Sequence, residues 1–184
     1  MKVSALPILF VAILVSSCFA EPFEQTLDDG NISIRLTSPN TSEKNAVTLE
    51  PKGLEKVNDP ITVTVESTVT RAFLADMDSD NSPELFVVLT NPGSGSYGEV
   101  LAYSTNGRKS LTPIMIEQPA EKDLAGYMGH DEFEVMENTF VRRFPVYKAG
   151  DTNANPTGGF RQFQYKLRPG EAAWQMKVDR VESY

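Results

Sequence analysis

Residues 84–107 read ELFVVLTNPGSGSYGEVLAYSTNG, and the segment after the glycines decides the fold. Gly93, Gly95 and Gly98 fit the spacing G-x-G-x-x-G. In a doubly wound α/β fold such a loop joins a strand to a helix, whose N-terminal amides and dipole hold a pyrophosphate. Here Glu99 to Ser104 (EVLAYS) reads as another strand and runs into Asn106-Gly107, a two-residue hairpin turn signal. No βαβ unit surrounds the glycines, so the nucleotide reading falls. A nucleophile elbow falls as well, because Ser94 and Gly95 are out of phase with G-x-S-x-G. What remains is a Gly/Ser loop between two strands. The first, Glu84 to Thr90, is an apolar run of the length expected for a buried strand.

The same reading extends in both directions. Lys109 to Ile116 returns from the Asn106-Gly107 turn, and EKDLAGYMGHDEF (121–133) is a helical turn or irregular. EFEVME and TFVRRFPVY flank Asn138 as a second hairpin. A long polar loop, residues 148–159, leads to FRQFQYKLR and AAWQMKVDRVE, which flank Pro169-Gly170 as a third. On the N-terminal side, ITVTVESTV (61–69) alternates with period two, and RAFLAD (71–76) continues it. Residues 21–60 are rich in Asp, Asn, Ser, Thr and Glu; Ile32 to Leu36 alternates, and the rest reads as loop. The expectation is an all-β fold, an antiparallel β-sandwich built from successive hairpins over residues 61–184, preceded by a loop-rich arm at 21–60. Phe140, Val141, Phe144, Phe160, Phe163, Tyr165 and Trp174 fall on the expected strands as core and cross-strand pairs.

Residues 1–20, MKVSALPILFVAILVSSCFA, are of another kind. One cation at Lys2, an apolar stretch from Leu6 to Val15 and small residues after it make the three regions of a secretory signal. The stretch is too short to span a bilayer, and no later segment reads as a membrane helix. Cleavage after Ala20 releases a soluble periplasmic protein; Val15-Ser16-Ser17-Cys18 also resembles a lipobox, which would anchor a lipoprotein through Cys18. Cys18 is the only cysteine of the 184 residues, so the chain after Ala20 relies on its core rather than on disulfides. The net charge is −8, with 17 Lys+Arg against 25 Asp+Glu. This balance argues against a nucleic-acid footprint and permits a basic protein partner.

Four groups of residues invite chemistry. Asp76, Asp78, Asp80 and Glu84 have alternating carboxylates that can wrap a calcium ion. However, Asn81 stands where such loops carry glycine, and Val87 where they carry the bidentate glutamate, so a solvated turn capped by Asp side chains is the preferred reading. His130 is the only histidine, with neither a marked nucleophile nor a ligand cluster around it, and reads as part of a local hydrogen-bond network. The carboxylates in general leave a hydrolase open without locating one. Tyr97 stands at the tip of the Gly/Ser loop, either as an interface anchor or folded back on the sheet edge.

GSGSYGEVLAYS, GYMGHDEF, RRFPVYKAGDTNANPTGGFRQFQYKL and AAWQMKVDRVE together resemble the bacterial periplasmic inhibitors of invertebrate-type (i-type) lysozyme, over about Thr62 to Tyr184. The resemblance implies an antiparallel β-sandwich. It also implies a protein that is not an enzyme and needs no cofactor or metal, and whose Ser-Gly-x-x-Tyr-like loop enters the lysozyme cleft. Ser94, Gly95, Ser96 and Tyr97 match that loop, with Ser94 and Tyr97 inheriting the contact roles. Some members dimerise, so a homodimer is within the expectation. The alternatives are a calcium-dependent adhesion module of the cell envelope and a hydrolase.

Overall fold

The computed structural model describes residues 21–41 and 44–184; the expected signal segment and Cys18 lie outside the described residues. The chain is all-β. Thirteen strands are described: β1 Phe23–Asp28, β2 Ser33–Ser38, β3 Asn45–Lys52, β4 Ile61–Val65, β5 Thr68–Ala75, β6 Glu84–Thr90, β7 Gly98–Ser104, β8 Thr112–Pro113, β9 Met115–Ile116, β10 Glu132–Met136, β11 Thr139–Pro145, β12 Phe160–Pro169 and β13 Trp174–Ser183. The expected hairpin-built antiparallel sandwich forms, in three sheets ordered β1-β2-β3-β4, β5-β6-β7-β8 and β10-β11-β12-β13-β9. Only the short β9 runs parallel to its neighbour, β13. Glu121–Leu124 is the one helical turn among the described residues, a 3-10 turn.

The middle sheet is covered on both faces. Successive side chains of a strand point to opposite faces, and β6 has apolar residues at consecutive positions. Leu85, Val87 and Leu89 pack with Ile34, Leu36, Val47 and Leu49 of the first sheet. Phe86 and Val88 pack with Phe133, Phe140, Phe144, Phe163 and Tyr165 of the third. An apolar run with no polar face is what a strand between two cores requires. Phe86 stacks between Phe73 and Phe140 at 5.1 and 5.2 Å between ring centroids. Of the aromatics expected in the core, Phe160 is exposed and stacks on Tyr184, and Trp174 is half-buried.

Three local expectations are corrected. The segment 21–60 is not a loop-rich arm, because it contributes β1, β2 and β3, and a face of the first core. Its alternation is present (Asn45, Val47, Leu49 and Pro51 point inward from β3) but Thr, Glu and Lys on the solvent face dilute it. Pro51 stands near the end of β3, opposite Ile34 of β2 and beyond the last β3–β4 pair, Leu49↔Ile61, where a proline is best tolerated. Residues 61–76 are two strands rather than one. The chain leaves the first sheet after Val65 and enters the middle sheet at Thr68. The crossing is fastened by Asn40, whose side chain donates to the Val69 carbonyl and accepts from its amide, both at 2.9 Å. The Asn106-Gly107 turn is wider than two residues, since β7 and β8 pair only at Tyr103↔Pro113 and Ser104↔Thr112. Asn106, Gly107 and Arg108 all have positive φ, and the Asn106 amide donates across the loop to Ser110 and Thr112.

Candidate functional site

The loop between β6 and β7, residues 91–97, is closed by the Asn91 amide donating to the Tyr97 carbonyl at 2.8 Å. Within it the Ser96 amide donates to the Gly93 carbonyl at 2.9 Å, and the Asn91 side chain accepts from the Gly93 amide at 2.9 Å. Tyr97 is 46% exposed and meets Tyr127 edge-on, 5.5 Å between centroids. It therefore neither stands free nor folds into the core; one edge is seated and the rest of the ring is presented. Ser94 is exposed beside it. The hydroxyls of Ser94 and Tyr97 have no hydrogen-bond partner among the described residues.

The loop's carbonyls point the other way, into a seat built from two distant segments. The Gly95 carbonyl accepts from the His130 amide at 2.8 Å, and the Ser94 carbonyl accepts from the Asn153 side chain at 2.6 Å. His130 Nε2 and Asn153 Oδ1 lie 3.1 Å apart, so His130 does belong to a local network. The Tyr147 hydroxyl donates to the Asn153 carbonyl and fixes that arm. At the loop's exit the Gly98 amide donates to Asp131 Oδ2 at 2.8 Å. Asp131 has a side chain with 0% exposure, ion-paired with Arg142 at 2.8 Å, and it also accepts from the Tyr127 hydroxyl. The Arg142 guanidinium lies over the Tyr127 ring at 5.1 Å. Burial, then the bond to the Asp131 carboxylate, pushes the Tyr127 phenol well above its ordinary pKa, so it stays a donor.

The glycines of the motif serve this seat rather than flexibility. A Cβ on Gly95 would lie 2.5 Å from the Tyr97 ring, and one on Gly98 would lie 2.6 Å from Asp131 and Phe133. Only Gly93 faces comparatively open space. Ser94 to Tyr97 are legible in the sequence as the presented loop, whereas Tyr127, Gly129, Asp131, Arg142 and Asn153 are not. The available signal was Gly126 and Gly129 closely bracketing a Tyr-Met pair, the mark of a chain that must turn tightly against another backbone.

At the opposite end of β6 lies the acidic turn. Oxygens of Asp76, Asp78 and Glu84 come within 4.8 Å of one another. The Asp76 carboxylate caps the amides of Asp80 and Asn81, and Asp80 caps Ser82 at 2.7 Å, so Asp80 is turned to its own loop. Glu84 is 2% exposed and accepts from the Met77 amide at 2.9 Å. Burial, reinforced by the carboxylates of Asp78, Asp80 and Asp76 and opposed by the Met77 amide, pushes Glu84 up to about 7. These side-chain caps are the hydrogen bonds that hold the turn.

No family model matches the chain, and no curated protein matches it. Among the described residues no helix is long and apolar enough to cross a membrane.

Proposed function

We propose that the protein is an exported inhibitor of i-type lysozyme that presents Ser94-Gly95-Ser96-Tyr97 to the enzyme's cleft and blocks access of peptidoglycan. The observation that carries this reading is the division of labour in the loop. Its carbonyls at Ser94, Gly95 and Tyr97 are spent inward, while the hydroxyls of Ser94 and Tyr97 are unspent at its tip. A retaining lysozyme cleaves between two carboxyl groups roughly 5 Å apart. A serine hydroxyl and a phenol can donate to such acids, and the bonds are charge-assisted when the acid is ionised. The Tyr97 ring fills volume that a sugar would occupy. Inhibition follows from occupancy alone, and no group of the inhibitor needs to react. The resemblance to the i-type inhibitors supports the partner class and a periplasmic location, with the chain either released after Ala20 or anchored through Cys18.

The test is clearance of a bacterial cell-wall suspension by invertebrate-, chicken- and goose-type lysozymes, each with and without the purified chain from Glu21. Selective slowing of the invertebrate-type enzyme is the expected result. Equal rates with and without the protein for all three would refute the proposal.

A further inference from the structure

Gly129 and Asp131 lie under the loop rather than beside it. Gly129 is buried with φ +92°, and a Cβ there would lie 1.9 Å from the Gly95 carbonyl oxygen. The loop backbone thus rests directly on the backbone of residue 129. One residue further on, the His130 amide holds the Gly95 carbonyl. Asp131, its side chain wholly buried, gathers the loop's exit amide at Gly98, the hydroxyl of the ring under Tyr97 and the Arg142 guanidinium on one carboxylate. Neither residue presents a side chain to a partner that approaches the tip, yet both decide where the tip stands. We infer that the loop is a preformed probe and that Gly129 and Asp131 are its positioning residues; this rests on the reading of the loop as the inhibitory element. A loop fixed during folding pays no ordering cost on binding. A loop released from its seat binds only from the fraction of its conformations that match, and its apparent dissociation constant rises by the inverse of that fraction.

The experiment compares the parent chain from Glu21 with Gly129→Ala, Asp131→Asn and Tyr97→Ala. Each is assayed for inhibition of an i-type lysozyme and, in the free state, for amide hydrogen exchange. In Gly129→Ala the His130, Ser96 and Gly98 amides should exchange faster while amides of β6 and β12 keep the parent's protection. Inhibition should weaken by roughly 10- to 100-fold, as for a loop left about 1–10% competent. Asp131→Asn keeps the shape and loses the charge, and should move the same amides and the inhibition constant less far. If Gly129→Ala does not fold, Tyr127→Phe, which removes one hydroxyl from the Asp131 carboxylate, carries the comparison together with Asp131→Asn. A parent that inhibits no lysozyme sinks the functional reading. A parent that inhibits, with Gly129→Ala inhibiting equally well despite faster loop exchange, sinks this inference alone. Unchanged exchange at His130 in that variant would show that the loop does not depend on residue 129, and would sink it too.

Discussion

Tyr97 and Tyr165 share a side chain and differ in everything the fold does with it. Tyr165 is buried in the second core, and burial raises its phenol pKa. Tyr97 stands half out of the surface in a T-shaped contact with Tyr127. Truncating a central aromatic anchor typically costs on the order of 2–4 kcal/mol, about tenfold in affinity per 1.4 kcal/mol. Tyr97→Ala should therefore weaken inhibition by roughly 30- to 1,000-fold. Ser94→Ala should weaken it less, because a hydroxyl loses mainly one hydrogen bond. Both variants should melt with the parent, and inhibition constants and melting curves on the same samples check this. Glu84 carries a different residue-scale prediction. Its folded pKa of about 7 lies above the ordinary 4.5. Between these values the folded state keeps a proton that the unfolded state has released, so stability falls as pH rises through that window. The loss should be about 2 kcal/mol, allowing for solvent screening of the neighbouring acids. Glu84→Gln should flatten that slope in chemical denaturation at pH 4.5 and 7.5, in the presence of a chelator. Calcium added in place of the chelator should leave the parent's melting temperature nearly unchanged; a rise that Asp78→Ala abolishes would instead show specific binding to the folded turn.

At the scale of elements, the strands with a cleanly apolar inward face or a continuous apolar run were legible, and those whose inward parity includes Gln25, Asn45 or Pro51 were not. β6 declared itself because it is buried on both faces. β12 did so because Phe163, Tyr165 and Leu167 alternate with polar residues. β1 and β3 were hidden because Gln25, Asn45 and Pro51 interrupt their apolar parity among Thr, Glu and Lys on the solvent face, whereas the alternation of Ile32 to Leu36 did mark β2. The break between β4 and β5 was hidden because alternation runs straight through it; the signal lay in Asn40, about 30 positions away, which supplies the hydrogen bonds of a missing strand. The site divides in the same way. The loop tip is local in sequence, with glycines and hydroxyls at short spacing. Its seat depends on contacts between Ser94 and Asn153, and between Gly98 and Asp131, which no local pattern encodes. The reassignment of residues 21–60 is itself testable. Leu36 and Leu49 are fully buried in the first core, so Leu36→Ala or Leu49→Ala should cost about 2–5 kcal/mol in urea unfolding. A loop-rich arm would lose almost nothing.

The whole molecule has two cores and one sheet between them, which decides how it should unfold. Leu85, Val87 and Leu89 of β6 belong to the first core, and Phe86 and Val88 to the second. Neither outer sheet can leave without exposing one face of the middle sheet, and a middle sheet bared on one side loses half of the burial that stabilises it. The two cores should therefore unfold in one transition. The single tryptophan makes this measurable, because Trp174 packs against the second core and reports on that side alone. Far-UV circular dichroism reports on all three sheets. Leu49→Ala damages only the first core and should cost about 2–5 kcal/mol; Phe163→Ala damages only the second and should cost about 3–5 kcal/mol. For a chain of this size each kcal/mol moves the midpoint by about 2–4 °C, so each variant should melt roughly 5–20 °C below the parent. In both variants the Trp174 fluorescence and circular dichroism curves should coincide, and the double variant should show nearly additive losses because the sites share no contact. If Leu49→Ala lowers the dichroism midpoint while the Trp174 curve stays at the parent's temperature, the first sheet unfolds by itself, and the shared middle sheet does not couple the two cores.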